Sequence, residues 1–463
     1  MAGDNLTLGI ISHQRIARSM AGPGIRCWEV AKALCGDFNV KLFTPEESDL
    51  EPDGFELVTY DEKTLLGLAV DCGALFSQGF IFNNYPELAR RGRFLIVDLY
   101  VPMTLEALAQ YGHKRIDEQD AIQGNILLAL MEQLTIGDYF VCASERQRDF
   151  WLGLLSAAGR VMPETFNEDG SLYKLIGLLP FGLPEEPPRA TGKALKGVHP
   201  AIGKDDKVLL WGGGIYNWLD PLTPIRAMGR LAQRREEIKL YFLGTRHPDP
   251  GVPRMRVYDE ALDLSRELGL LDKNVIFNDQ WVRYEDRVNY LLESDLGSSA
   301  NIPHVETRFS FRTRILDCIW SSLPVVSTDG DSLSDLVRDR ELGLVVACGD
   351  DEAYAGAIER LLDDEDLRGR CLGNLKKLAA GYTWDQAVAG LRERLHEHSS
   401  EEKPRGPLVH PLGMGKMHNQ LKACELRLRE LEGITPLEWK SLSAYKTSLR
   451  GSARKVKRKL RRR

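Results

Sequence analysis

The chain has 463 residues, 43% of them apolar and 28% charged, with a formal net charge of −6 at neutral pH. That length exceeds what one ordinary core holds, so two domains, or two and an appendage, are expected. The composition is that of a soluble globular protein, and no window is long and apolar enough for a bilayer span, which excludes an integral membrane protein of the helical kind.

The chain opens MAGDNLTLGIISH, with an acid where a signal peptide carries lysines and only a short apolar run, so a cytoplasmic protein is expected. Strand and helix patterns then alternate. LTLGIIS (Leu6 to Ser12) is followed by a glycine-containing loop and the helical run GIRCWEVAKALC, and then by NVKLFT, GALFSQG, RFLIVDLY and YFVCAS, each short and β-rich. This is the pattern of a parallel sheet wrapped by helices. Proline, glycine and charge accumulate between Leu179 and Asp206, where the chain reads as an interdomain linker.

A second round begins with KVLLWGGG (Lys207 to Gly214) and the helical PLTPIRAMGRLAQRR. It continues through IKLYFLG, a helix around EALDLSRELGL, NVIFN, a helix around YEDRVNYLLES, DLGSSA, the charged stretch HVETRFSFRTRILD leading into a buried helix, LPVVST and GLVVA. The predicted class is α/β, with two Rossmann-like domains. The expected boundaries are 1–190 for the first domain, 191–206 for the linker, 207–381 for the second domain, 382–398 for a helix returning to the first, and 399–463 for loop, helices and a basic tail.

Nine lysines and arginines and no acid lie between Arg450 and Arg463, and removing those nine from −6 leaves −15 on the preceding residues. An acidic body argues against a nucleic-acid partner. The tail reads either as a contact for an anionic membrane surface, where each cation adds about 1 kcal/mol, or as a solubilising segment. The eight cysteines are scattered, with no CxxC pair, and read as reduced core residues, not a metal site or a disulfide framework.

The order of elements, with a Gly-rich loop after the first strand of the second round, IKLYFLG, NVIF before a DR-containing helix, DLGSS, an acid-bearing helix and SLPVVST, resembles the second domain of GT-B glycosyltransferases, specifically glycosyltransferase family four. PFGLP resembles the phrase that closes the first domain in that family, and GYTWDQAVAGL its tryptophan-containing crossover helix. The resemblance covers roughly the first 395 residues. It implies two domains facing across a cleft, a nucleotide-sugar donor held mainly by the second domain, an acceptor held mainly by the first, and retention of anomeric configuration with neither a divalent metal nor another cofactor.

The resemblance also assigns roles. The family sets two glutamates eight positions apart, one near the donor sugar and one on the ribose, whereas here the residue eight before Asp317 is Phe309 and the nearest acid, Glu306, stands eleven before it. Asp317 is expected on the ribose. Glu306 either reaches the sugar through a rebuilt loop or serves as a surface helix cap. The family's basic pair after the first strand of the second domain is missing, since that region reads WGGGIYNWLDPLTPIRA without a lysine. Arg312 and Arg314, near the start of the acid-bearing helix, are expected to bind the diphosphate instead, unless one of them pairs with Glu306 or Asp317.

Gly212, Gly213 and Gly214 allow close approach of backbone to phosphate, and Trp218 stacks on a ligand or packs a helix. Asp220 before Pro221 reads as a helix N-cap. In the first domain Gly22 and Gly24 are placed in the loop after the first strand, beside the donor, with Arg26 starting the next helix. Asp98 is expected at a strand's carboxyl end, orienting or deprotonating the acceptor, and His13 near the first strand's end faces the cleft or has no role.

The function these readings imply is a retaining transfer of sugar from a nucleotide-diphosphate donor to a hydroxyl of a glycan or lipid-linked glycan. A nucleotide-sugar epimerase of the same fold and a non-catalytic sugar-binding scaffold are the alternatives.

Overall fold

Short β-rich runs separated by long helical stretches cannot close as hairpins, so each strand returns through a crossover and the sheets come out parallel. The structure, a computed structural model, describes residues 6–90, 93–249, 251–252 and 254–399. In the first domain the strands are β1 (Thr7–Ile11), β2 (Asn39–Thr44), β3 (Glu56–Thr59), β4 (Ala74–Gln78), β5 (Phe94–Asp98), β6 (Tyr139–Cys142) and β7 (Ile176–Leu178). They pair in the order β3-β2-β1-β4-β5-β6-β7, parallel throughout. The second domain has β8 (Lys207–Trp211), β9 (Ile238–Phe242), β10 (Val275–Phe277), β11 (Leu296–Ser299), β12 (Val325–Thr328) and β13 (Gly343–Val346), in the order β10-β9-β8-β11-β12-β13.

Strands β4, β5 and β6 bury every residue, which is what helices on both faces of a sheet require. The two strands that the sequence pattern misses are at the margins. β3, with the sequence ELVT, buries none of its side chains, and β7 is only three residues long. Both sheets reverse strand order beside their first strand, between β1 and β4 and between β8 and β11. In open parallel sheets that reversal leaves a crevice at the carboxyl ends, where ligands bind.

The charged stretch is two short helices, Val305–Arg308 and Arg314–Trp320, joined by residues 309–313. The segment 191–206 is less loose than its composition suggests. Glu293 Oε2, at the end of the helix Arg287–Glu293, accepts from the backbone N–H groups of Ala194, Leu195 and Lys196 at 3.3, 2.6 and 2.9 Å, and Leu195 and Ile202 are buried. The segment is therefore docked on the second domain.

The chain then returns. Trp384 starts a short helix, Trp384–Ala387, and is buried against Phe181 with ring centroids 5.2 Å apart. Leu183 N–H donates to Tyr382 O at 2.7 Å and Trp384 N–H to Leu183 O at 3.1 Å. The following helix, Ala389–Ser399, sends Arg392 to Asp37 at 2.7 Å and to Ala33 O at 3.1 Å, both in the first domain. The expected helices and basic tail of 400–463 lie outside the described residues. Among the described residues no helix is long and apolar enough to cross a membrane.

Candidate active site

The carboxyl ends of the two sheets face each other across a cavity of about 450 Å³. The glycine turn after β8 lines one wall, and the start of the helix Gly22–Leu34 the other. The walls are joined at several points. Tyr100 Oη donates to Phe311 O at 2.9 Å, Trp281 Nε1 to Met20 O at 3.2 Å, and Gln147 Nε2 to Phe309 O at 2.9 Å. Arg146 reaches from the first domain to Asp335 and to Gly330 O.

Arg312 and Arg314 both line the cavity, but their surroundings differ. Arg312 is buried, with Nε donating to Asn301 Oδ1 at 2.8 Å and Nη2 to Glu306 Oε2 at 2.7 Å. Asn301 in turn donates to Asp331 Oδ2 at 2.8 Å, and the other oxygen of Asp331 caps the helix Ser332–Asp339. Arg312 is thus largely neutralised by a chain of buried partners. Arg314 lies over the ring of Trp211, 4.3 Å from its centroid, and donates from Nη2 to Gly214 O at 3.2 Å, while its Nη1 is buried with no partner. Burial first, and then the neighbouring Arg312, push the Arg314 guanidinium down to about 9, which still leaves it cationic at neutral pH. An orphaned, desolvated cation beside a cavity is electrostatically matched to an anion.

The turn above it is built for close approach. Gly213 has φ +88°, with nothing within 4 Å of where a Cβ would stand, whereas a Cβ on Gly214 would come within 2.8 Å of the Tyr216 ring. Tyr216 and Trp218 are stacked, with centroids 5.0 Å apart and planes 5° apart, and both line the cavity, so Trp218 combines packing with an open edge. Asp220 accepts from the N–H groups of Leu222 and Thr223 at 3.1 and 3.0 Å, the expected helix cap.

The acids sort differently from the expectation. Asp317 lines the cavity, is one-third exposed, and its Oδ1 accepts from Arg287 Nε at 3.0 Å. Glu306 is fully buried behind Arg312 and does not line the cavity; its Oε1 has no partner. It is neither a surface cap nor a residue in the open cleft. Asp98 departs furthest. It is buried and held by Arg26, Oδ2 to Nε at 2.6 Å and Oδ1 to Nη2 at 3.0 Å, with neither side chain exposed and neither lining the cavity. Arg26 also donates to Leu179 O at 2.7 Å and lies between Tyr100 and Phe181. Both carboxylate oxygens are taken up by Arg26, and the pair works as a clamp on the end of the first domain.

Gly22 and Gly24 are in the first turn of their helix, not in a loop, because Ala21 takes the extended N-cap conformation and Pro23 is compatible with the first turn. Gly22 lines the cavity, while Gly24 packs on Met20 away from it. His13 is exposed, lies against Gly79 and does not line the cavity.

Among the cavity residues to which the sequence gives no role are Arg287, Trp281 and Glu106. Arg287 was visible only as the arginine of the DR pair, and Trp281 precedes it in a loop. Glu106 stands in the helix Met103–Tyr111, where its sole signal is an acid in the first turn after β5.

The fold and cleft define the GT-B class, two parallel-sheet domains with a returning C-terminal helix. Residues 206–364, most of the second domain, match the family model described as Glycosyl transferases group 1. Among curated relatives, a D-inositol 3-phosphate glycosyltransferase of Acidothermus cellulolyticus is 26% identical over 245 residues, 51% of this chain and 53% of that protein. One of Nocardia farcinica is 26% identical over 253 residues, 52% and 53% respectively. The chain spans about half the length of the curated relatives it matches.

Among solved structures, sucrose-phosphate synthase from Thermosynechococcus elongatus superposes with TM-score 0.57 at 16% identity, over 90% of this chain and all of that one. Anabaena HepE in complex with UDP-glucose superposes with TM-score 0.58 at 13% identity, over 86% of this chain and 100% of that one. WaaG, described as a glycosyltransferase involved in lipopolysaccharide biosynthesis, does so with TM-score 0.57 at 16% identity, over 85% of this chain and 100% of that one. These likenesses establish the fold.

Proposed function

We propose that the protein is a retaining glycosyltransferase that moves a sugar from a nucleotide-diphosphate donor to a hydroxyl of a glycan or lipid-linked glycan. The observation that carries this reading is the orphaned Nη1 of Arg314 beneath the glycine turn of Gly212, Gly213 and Gly214. It supports a diphosphate seated against Arg314 and the backbone of the turn, with Arg312 adjacent and Asp317 accepting from the ribose diol. Trp218 and Tyr216 offer an aromatic face beside it. HepE, of the same fold, is described in complex with UDP-glucose.

As the bond from the anomeric carbon to the diphosphate breaks, charge grows on the leaving oxygen, and a fixed cation in a water-poor cleft stabilises that charge more than it stabilises the ground state. The acceptor oxygen attacks from the face the diphosphate leaves, which retains configuration, and the acceptor's proton passes to the departing phosphate. The guanidinium groups supply the counter-charge in this reading, without a divalent metal. The basic segment Arg450 to Arg463 would bring the enzyme to an anionic membrane surface when the acceptor is lipid-linked.

The test is incubation of the purified protein with UDP-, GDP-, ADP- and dTDP-sugars, followed by NMR of the products. Slow acceptor-free hydrolysis to nucleoside diphosphate and free sugar that first appears as the donor's own anomer is expected. An isomerised nucleotide sugar, or tight binding with no turnover, would replace this reading with the epimerase or the scaffold.

A further inference from the structure

Three carboxyl groups in or behind the walls of the cleft each meet an arginine: Glu306 meets Arg312 at 2.7 Å, Asp98 meets Arg26 at 2.6 Å, and Asp317 meets Arg287 at 3.0 Å. Glu106 does not. It lines the cavity, is half-buried, and its carboxyl has no hydrogen bond or ion pair with any described residue. It comes from the first domain, on a helix that starts just beyond β5 and packs against Val305–Arg308 of the second. Its carboxyl therefore opens into the space between the domains without a fixed counter-charge.

The groups around it are few. From the second domain, Glu306 and Arg312 face it, with Tyr216 nearby, and Tyr100 is the neighbour from its own domain. On the far side of its helix, Ile116–Ile136 contributes Gln123, bound to Thr104 O at 2.8 Å, while Asp117, Glu118 and Asp120 point to solvent.

We propose that Glu106 is a substrate-contacting residue that acts uncharged, its carboxyl O–H donated to a hydroxyl oxygen of the carbohydrate bound in the cleft and its carbonyl oxygen accepting from a second hydroxyl. This rests on the transfer function proposed above. Burial, and then the negative charge of Glu306, push the Glu106 carboxyl up to about 8, against the pull of Arg312, so it keeps its proton at neutral pH. A diphosphate entering the cavity adds further negative charge and strengthens that preference. A neutral carboxyl has one donor and one strong acceptor, which suits a sugar diol, and being uncharged it does not oppose the charge growing on the leaving group. Asp98, by contrast, is closed off by Arg26.

The full-length protein, Glu106→Ala and Glu106→Gln are compared for hydrolysis and transfer with UDP-glucose, GDP-glucose and ADP-glucose between pH 6 and 9.5. Expected is a wild-type kcat/KM that falls above pH 8. Glu106→Ala should be reduced at least about tenfold at pH 7, and Glu106→Gln, which keeps both a donor and an acceptor, should recover most of that loss and show no alkaline fall. A deficit in acceptor-free hydrolysis assigns the contact to the transferred sugar, and one confined to transfer assigns it to the acceptor. If Glu106→Gln is as impaired as Glu106→Ala, or if Glu106→Ala is unimpaired, the proposal is overturned.

A second readout needs no substrate. Because the folded-state value lies above the unfolded one, the carboxyl's contribution to stability is lost as pH rises towards 8, so the Tm of Glu106→Gln should gain on wild type between pH 5 and 9. A flat difference overturns the uncharged carboxyl. A wild-type protein that turns over none of the three donors, with the Tm difference present, instead overturns the function proposed above, and the carbohydrate contact with it.

Discussion

At Arg314 one guanidinium nitrogen is buried without a partner, while Arg312, two residues earlier, spends two of its nitrogens on Asn301 and Glu306. Replacing Arg314 by Met keeps the stem over Trp211 and removes an uncompensated cation, so folding should be unharmed or improved. The lost charge-assisted hydrogen bond, about 1.5–3 kcal/mol, should weaken UDP binding by roughly tenfold to a hundredfold in isothermal titration. Asp98 calls for the opposite outcome. Asp98→Asn leaves Arg26 buried against a neutral amide, which should lower stability by about 3–5 kcal/mol in urea unfolding. Its effect on activity should follow the loss of fold, so that activity per folded molecule stays near wild type at low temperature. A catalytic base at Asp98 would show the reverse, with activity lost in a protein that melts normally.

Among the elements, the β8 turn and the split of the charged stretch decide the site. Gly213 has an open Cβ position but a φ of +88°, so Gly213→Ala tests backbone conformation without a clash. The strain should cost about 1–2 kcal/mol, seen as a lower Tm, and any relaxation of the turn should move its amides off the diphosphate and raise the Kd for UDP. The break between Val305–Arg308 and Arg314–Trp320 is what allows Arg312 to turn inward to Glu306 while Arg314 remains at the helix start. One continuous helix would put residues 312 and 314 some 200° apart, on different faces.

For the whole molecule, the crossover makes closure of the cleft depend on residues far from it. Trp384 is buried on Phe181 and its backbone pairs with Leu183, so the end of the second domain is anchored on the last turn of the first. Trp384→Ala should lower stability by about 3 kcal/mol, near the bottom of the range for deleting a buried indole, because its Nε1 has no partner to lose. Differential scanning calorimetry should then resolve two transitions in place of one, since the domains would no longer be coupled through that contact. Unchanged cooperative melting would argue that Tyr100, Gln147 and Arg146 join the domains sufficiently by themselves.

Most of the fold was legible in the sequence, because strands buried on both faces are apolar runs and helices that cover them carry a periodic stripe. Both are local signals. The exceptions, β3 and β7, are a half-exposed edge and a three-residue strand, too short or too mixed to stand out. Asp317, Arg314 and the glycine turn could be placed because each lies at a fixed distance from a strand end that the pattern reveals. Side-chain partnership was not legible. Arg26 and Asp98 are 72 residues apart, and Arg287 and Asp317 are 30 apart, and nothing local says that they meet. Only the tertiary structure decided which acids are neutralised and which, like Glu106, face the cavity unpaired. The physical reason is that charge is a property of the residue, whereas its partner and its desolvation are properties of the packed molecule.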